Sequence, residues 1–108
     1  MLHISNAFSL GMLQGSEVTL KVTEVGTETV KTLLKSQDFQ NSIGHQGTAD
    51  ILTSLLDVNV PMNRASIKLQ KGDALIVFQL LTRLEEGKVL SKEEIEKLPF
   101  KFFLVEVL

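Results

Sequence analysis

The chain has 108 residues, 44% of them hydrophobic and 22% charged, with a formal net charge of -2 and a pI near 5.6. This fits a single folded domain over residues 1–108 with one core, and the missing basic excess argues against binding DNA or RNA by bulk attraction, though a small anion needs only local donors. With no cysteine, disulfides, thiolate zinc sites and cysteine nucleophiles are excluded; no apolar run approaches the ~18 residues of a membrane span. MLHISNAFSL lacks the basic flank and long apolar core of an export signal, so a cytoplasmic chain is expected.

Leu2 to Phe8 reads as a first strand, interrupted by the amide of Asn6. Glu17 to Val25 alternates apolar Val18, Leu20 and Val22 with polar neighbours, the period-two pattern of a half-buried strand. Thr27 is positioned to cap a helix through Lys35, with Val30, Leu33 and Leu34 on one face. A second helix is expected to start around Gly44 to Thr48 and run to Leu56, with Ile51, Leu52, Leu55 and Leu56 recurring at helical spacing. The segment 57–63 carries Pro61 and reads as a connection.

NRASIKLQ then places Arg64, Ser66, Lys68 and Gln70 on one face of an expected strand and Ala65, Ile67 and Leu69 on the other. Lys71-Gly72-Asp73 reads as a hairpin turn. ALIVFQLLTRL is almost continuously apolar, as a central strand covered on both faces should be. Ser91 with Glu94 forms a capping-box signature for a helix SKEEIEKL closed by Pro99. KFFLVEVL is the last strand. The fold class is α/β: a mixed sheet of about five strands flanked by three helices.

Few residues offer chemistry. In NSIGHQGTAD, His45 stands between Gly44 and Gly47 at a helix start, with Thr48 following. Such a histidine either closes a loop or presents an imidazole where free N–H groups and the positive helix end hold an anion. Asn6 and Ser9 either tie down a turn or face a ligand. Arg64 and Arg83 are the only arginines; each is a solvated charge or a phosphate partner. Gln79 lies four residues before Arg83, roughly 13 Å along a strand, so the two line one groove without touching. Glu85-Glu86-Gly87-Lys88 is a solvated turn or a hinged cover. His3 has no polar neighbours in sequence and is assigned no role. His3 and His45 lack the carboxylates that a zinc or iron centre requires, so neither metal nor cofactor is expected. No nucleophile elbow or phosphate-loop motif is present.

At these residues the chain resembles the viral ring nucleases, anti-CRISPR proteins of type III systems found in archaeal viruses, phages and mobile elements. NAFS (6–9), NSIGH (41–45), Asn63-Arg64 and TRLEEGK (82–88) stand in that family's order and spacing, and the resemblance covers nearly the whole chain. It implies a metal-independent enzyme that binds cyclic tetra-adenylate and cuts it to linear di-adenylate, switching off the second messenger of type III CRISPR immunity. Carried over by position, His45 matches the general acid. Arg64 and Arg83 match phosphate ligands, with Asn6, Ser9, Thr48 and Gln79 as supporting contacts and Gly44 and Gly47 making room for the ring. Glu86 matches a loop residue that closes or orders the site. Gly11 and Gly47 depart from relatives that carry asparagine and serine there. The resemblance also implies a homodimer, whose isologous symmetry suits a two-fold ring. Competing readings are a module that sequesters a cyclic nucleotide without cutting it, a viral structural or interaction protein, and a general ribonuclease; the acidic balance and missing aromatic platform weigh against the last.

Overall fold

A computed structural model describes residues 1–82 and 90–108. Among these, five strands form one mixed sheet in the order β2-β5-β4-β1-β3: β1 (Leu2–Ser5), β2 (Leu20–Val25), β3 (Phe39–Ser42), β4 (Ala74–Leu80) and β5 (Phe100–Val107). Strand β1 runs parallel to β3 and β4, whereas β5 is antiparallel to β4 and β2. Helices α1 (Thr27–Ser36), α2 (Gln46–Leu56) and α3 (Lys92–Glu96) complete an α/β domain, with a single 3-10 turn at Leu10–Met12.

All three helices cover one face of the sheet. Val30 and Leu34 of α1, Leu52 and Leu56 of α2 and Ile95 of α3 pack with Ile4, Ile76, Phe78 and Phe102. Phe78, Phe100 and Phe102 form a ring cluster with centroids 5.2–5.6 Å apart, a spacing at which aromatic pairs add to simple burial. The opposite face has no α-helix among the described residues. There Leu75, Val105 and Val107 are covered by Ile67 and Leu69, with Phe8, Met12, Leu13 and Val18 beside them. Alternate side chains of β4 therefore enter two separate cores, which explains its unbroken apolar run. Burying each such side chain contributes about 1.5–3 kcal/mol.

Several elements differ from the expectations. β1 ends at Ser5 and β2 begins only at Leu20. Gly26, not Thr27, is the N-cap of α1, and no side chain caps it; Thr27 is its first helical residue. Residues 63–70 form no strand: the segment makes one isolated bridge, Leu69 to Leu13. Its alternation survives all the same, because Ile67 and Leu69 are buried against the helix-free face. Lys71-Gly72-Asp73 is a real turn, closed by Asp73 N–H to Gln70 O at 2.9 Å, with Gly72 at a φ of 93° that favours glycine. It leads into β4 but joins no hairpin. The fifth strand is β3, in a segment that the alternation did not mark. The capping box is present as expected: Ser91 Oγ accepts from Glu94 N–H at 3.2 Å and Ser91 N–H donates to Glu94 Oε1 at 3.2 Å.

Candidate functional site

The parallel strands β1, β3 and β4 deliver their carboxyl ends to one edge of the sheet, the usual location of ligand crevices in open α/β sheets. β1 stops there for a local reason. Ser5 Oγ donates to Ser42 O across the β1–β3 pair at 3.0 Å and accepts Ala7 N–H at 3.3 Å. This hydroxyl turn pulls the chain out of the ladder and leaves Asn6 at the edge.

From β3 the chain passes through buried Ile43 to Gly44, His45 and the first turn of α2. A returning segment, 61–65, is stitched along the outer side of β3. Asn63 N–H donates to Ile43 O at 2.9 Å and its side-chain amide donates to Asn41 O at 2.9 Å. The Asn41 amide donates to Pro61 O and the Ser42 hydroxyl to Ala65 O. This stitching places Arg64 so that its Nε donates to Gly44 O at 3.0 Å, while Gly44 N–H donates to Asn6 Oδ1 at 3.4 Å. The Gly44 peptide groups are thus held from both sides, and Asn6, Gly44 and Arg64 form one connected unit. The Arg64 terminal nitrogens make no hydrogen bond with the described residues, so the outer edge of the guanidinium is open to an anion.

His45 follows directly as the N-cap of α2. Its carbonyl accepts Ala49 N–H at 3.1 Å, its side chain makes no capping bond, and it is exposed. The first turn of α2 has no acidic residue, so nothing there offsets the positive helix end. A Cβ on Gly44 would meet nothing within 4 Å; internal packing does not demand glycine, and the space in front of it is open. Gly47 is exposed in the same turn and Thr48 is buried at 8% exposure.

Ser9 is the N-cap of the 3-10 turn and its carbonyl accepts Met12 N–H at 3.1 Å. Gly11 lies in that turn, where a Cβ would sit 3.7 Å from Ser9 Oγ. Lys68, which the sequence reading did not select, donates from Nζ to Gly11 O at 3.0 Å and brings a cation to this loop. Its place on the polar face of NRASIKLQ, two residues apart from Ser66 and four from Arg64, was the available signal. Gln79 is exposed near the end of β4, two residues beyond the Val77 that pairs with Ser5, and lies opposite Lys101 of β5. Arg83 and Glu86 lie outside the described residues. Among those described, no group of three or more His, Asp or Glu side chains is arranged to hold a metal.

His3 does have polar company. It is buried at 6% exposure, with Nε2 3.9 Å from Asp73 Oδ2 and Nδ1 lacking a hydrogen-bond partner among the described residues. Burial pushes its pKa down, partly opposed by Asp73. Asp73 is itself held low, first by the Gln70 N–H that it accepts at 2.9 Å and also by the N-terminal ammonium at 3.3 Å. This cluster lies at the opposite end of β1 from the Asn6–Gly44–Arg64 unit.

No helix among the described residues is long and apolar enough to cross a membrane. The chain is 42% identical over 108 residues to an uncharacterized protein of Sulfolobus islandicus filamentous virus, covering 99% of this chain and 92% of that one. It is 30% identical over 101 residues to the uncharacterized protein YddF of Bacillus subtilis, with 92% and 94% covered. The solved structure of B116 from Sulfolobus turreted icosahedral virus superposes with a TM-score of 0.84 at 30% identity, covering 97% of each chain. B116 therefore shares this fold, and the match of residues 2–102 to the STIV B116-like family shows that this chain belongs to that family.

Proposed function

We propose that this chain is a ring nuclease that binds cyclic tetra-adenylate and cleaves it to linear di-adenylate, removing the second messenger of type III CRISPR immunity. One observation carries the reading: an exposed imidazole, His45, stands at the amino end of α2 directly after Gly44, whose two peptide groups are held by Asn6 and Arg64. A proton donor, a guanidinium and free helix N–H groups then share one spot, which is what cleavage at a phosphate requires.

The ligand's own 2′-hydroxyl is the nucleophile. It attacks the adjacent phosphorus and loses its proton to water; the P–O2′ bond forms as the P–O5′ bond breaks, leaving a 2′,3′-cyclic phosphate. The departing 5′-oxygen takes a proton from His45. Arg64 balances phosphate charge, with Ser9, Thr48 and Gln79 as supporting contacts. Arg83 and Glu86 join the proposal on the sequence resemblance. Two such cuts open the ring into two di-adenylates, and a homodimer supplies them. The chemistry uses only these groups and the ligand, so we expect turnover in EDTA.

The test is incubation of wild type and His45→Ala with cyclic tetra-adenylate in EDTA, alongside a binding titration of both. A positioned general acid contributes about 10²–10⁴-fold, so His45→Ala is expected to bind near-normally and cut that much more slowly. An undiminished rate in His45→Ala removes the general acid. Turnover lost in EDTA and restored by magnesium or manganese overturns the mechanism, and tight binding by wild type without product makes the chain a sequestering module.

A further inference from the structure

A second feature adjoins this site. Between α2 and the returning segment lies a groove of about 480 Å³ whose walls include Gln46, Asp50, Thr53, Val60 and Met62, a volume within the range of small-ligand sites. Gln46 immediately follows His45 and Met62 precedes the Asn63-Arg64 pair, so two of its lining residues are chain neighbours of the residues around Gly44. The floor is fixed, because Val60 N–H donates to Thr53 Oγ1 at 3.0 Å and the Thr53 hydroxyl donates to Val60 O at 3.2 Å. A hollow of similar volume, along Leu34–Phe39, lies where β3 begins.

The groove's chemistry differs from that of the Arg64 unit. Among the described residues its only charged lining residue is Asp50, and a carboxylate repels phosphate. It suits an uncharged group that donates hydrogen bonds. Gln46 Nε2 donates to Asp50 Oδ1 at 2.8 Å across one helical turn, which holds the two side chains side by side. Asp50 Oδ2 is left to accept, and the second N–H of Gln46 is left to donate. Met62, 42% exposed, supplies a soft, polarizable side chain against which a flat ring packs.

We infer that this groove seats a nucleobase with an exocyclic amine, adenine in the ligand proposed above, while its phosphate lies at Gly44 and Arg64. The 6-amino group donates to Asp50 and N1 accepts from Gln46. The inference rests on the proposed function and assigns the part of the ligand that Arg64 and His45 do not read. Asp50 sets specificity and Met62 adds packing; neither takes part in bond making or breaking.

The experiment compares wild type, Asp50→Ala and Met62→Ala by titration and single-turnover cleavage. The probes are cyclic tetra-adenylate and the same ring built from inosine, which lacks the 6-amino group. Wild type is expected to prefer the adenine ring. Asp50→Ala should weaken binding of that ring roughly ten- to a hundredfold, the worth of a hydrogen bond to a charged group, and erase the preference, while cleavage at saturating ring changes far less. Met62→Ala should weaken both rings alike. A merely structural Asp50 would not alter the choice between the two rings. If wild type binds and cuts the adenine ring but Asp50→Ala keeps its affinity and preference, the base groove is overturned and the nuclease reading stands. If wild type binds neither ring, the nuclease reading falls and takes the groove with it.

Discussion

His3 and His45 carry the same imidazole into surroundings that differ in how much water reaches the ring. His45 is exposed at a helix start, and its local sequence, glycines and a following apolar stripe, was enough to place it there. His3 was illegible in the sequence because its partner, Asp73, is seventy residues away and arrives through the β1–β4 pairing. Burial disfavours the His3 imidazolium, so the folded pKa lies below the ordinary value of about 6.5. The sign follows from linkage: between the two values the unfolded chain binds more protons than the folded one, so stability falls as pH drops. The His3 contribution is complete above about pH 6.5 and is lost as pH falls through its folded pKa. Asp73, held low by its hydrogen bonds, adds a second loss below the ordinary carboxylate range. His3→Leu is expected to flatten the upper window and keep the lower one. It also replaces a buried nitrogen that has no partner among the described residues, so its stability at pH 7.5 should match or exceed that of wild type. Urea midpoints from pH 7.5 to 5 measure this, and an unchanged slope in His3→Leu would exonerate the histidine.

At the scale of elements, the misread pair is instructive. FQNS in β3 has one apolar residue, and the strand exists because it pairs with β1 and feeds Ile43 into the core. NRASIKLQ alternates well, yet its backbone bonds go elsewhere. Asn63 N–H reaches Ile43 O and Leu69 N–H reaches Met12 O at 2.7 Å. Alternation reports which side chains are buried, and 63–70 does bury Ile67 and Leu69 on a sheet face without joining the sheet. Pairing is a long-range fact that a period of two does not encode. The same stitching bears on the proposed function. Asn63→Ala removes the amide bond to Asn41 O, a loss of about 0.5–1.5 kcal/mol, or a few degrees in Tm for a domain of this size. Because Arg64 is the next residue, we expect the variant also to bind cyclic tetra-adenylate more weakly. Thermal unfolding and a binding titration of Asn63→Ala separate the two effects. A lowered Tm with unaltered affinity means that the stitch serves β3 alone.

For the whole molecule, the sheet order puts β2 at one margin and β3, with its stitched segment, at the other. The α/β class and the two-sided burial of β4 were readable from composition and apolar runs. That all three helices share one face was not, because it depends on how β2 and β5 return antiparallel to the parallel strands. One chain carries one His45 and one Arg64 on a single open edge, whereas converting a four-phosphate ring to two di-adenylates takes two cuts on opposite sides. The proposed isologous pair of chains would meet that need, each copy bringing the same residues to its half of the ring. Titration should therefore saturate at one ring for every two chains. The chemistry provides a sharper check. Mixing wild type with excess His45→Ala produces pairs with one acid, and these should open the ring once and accumulate linear tetra-adenylate before any di-adenylate appears. Saturation at one ring per chain, with the protein monomeric throughout and di-adenylate as the first product of the mixture, would show that a single chain completes the reaction alone.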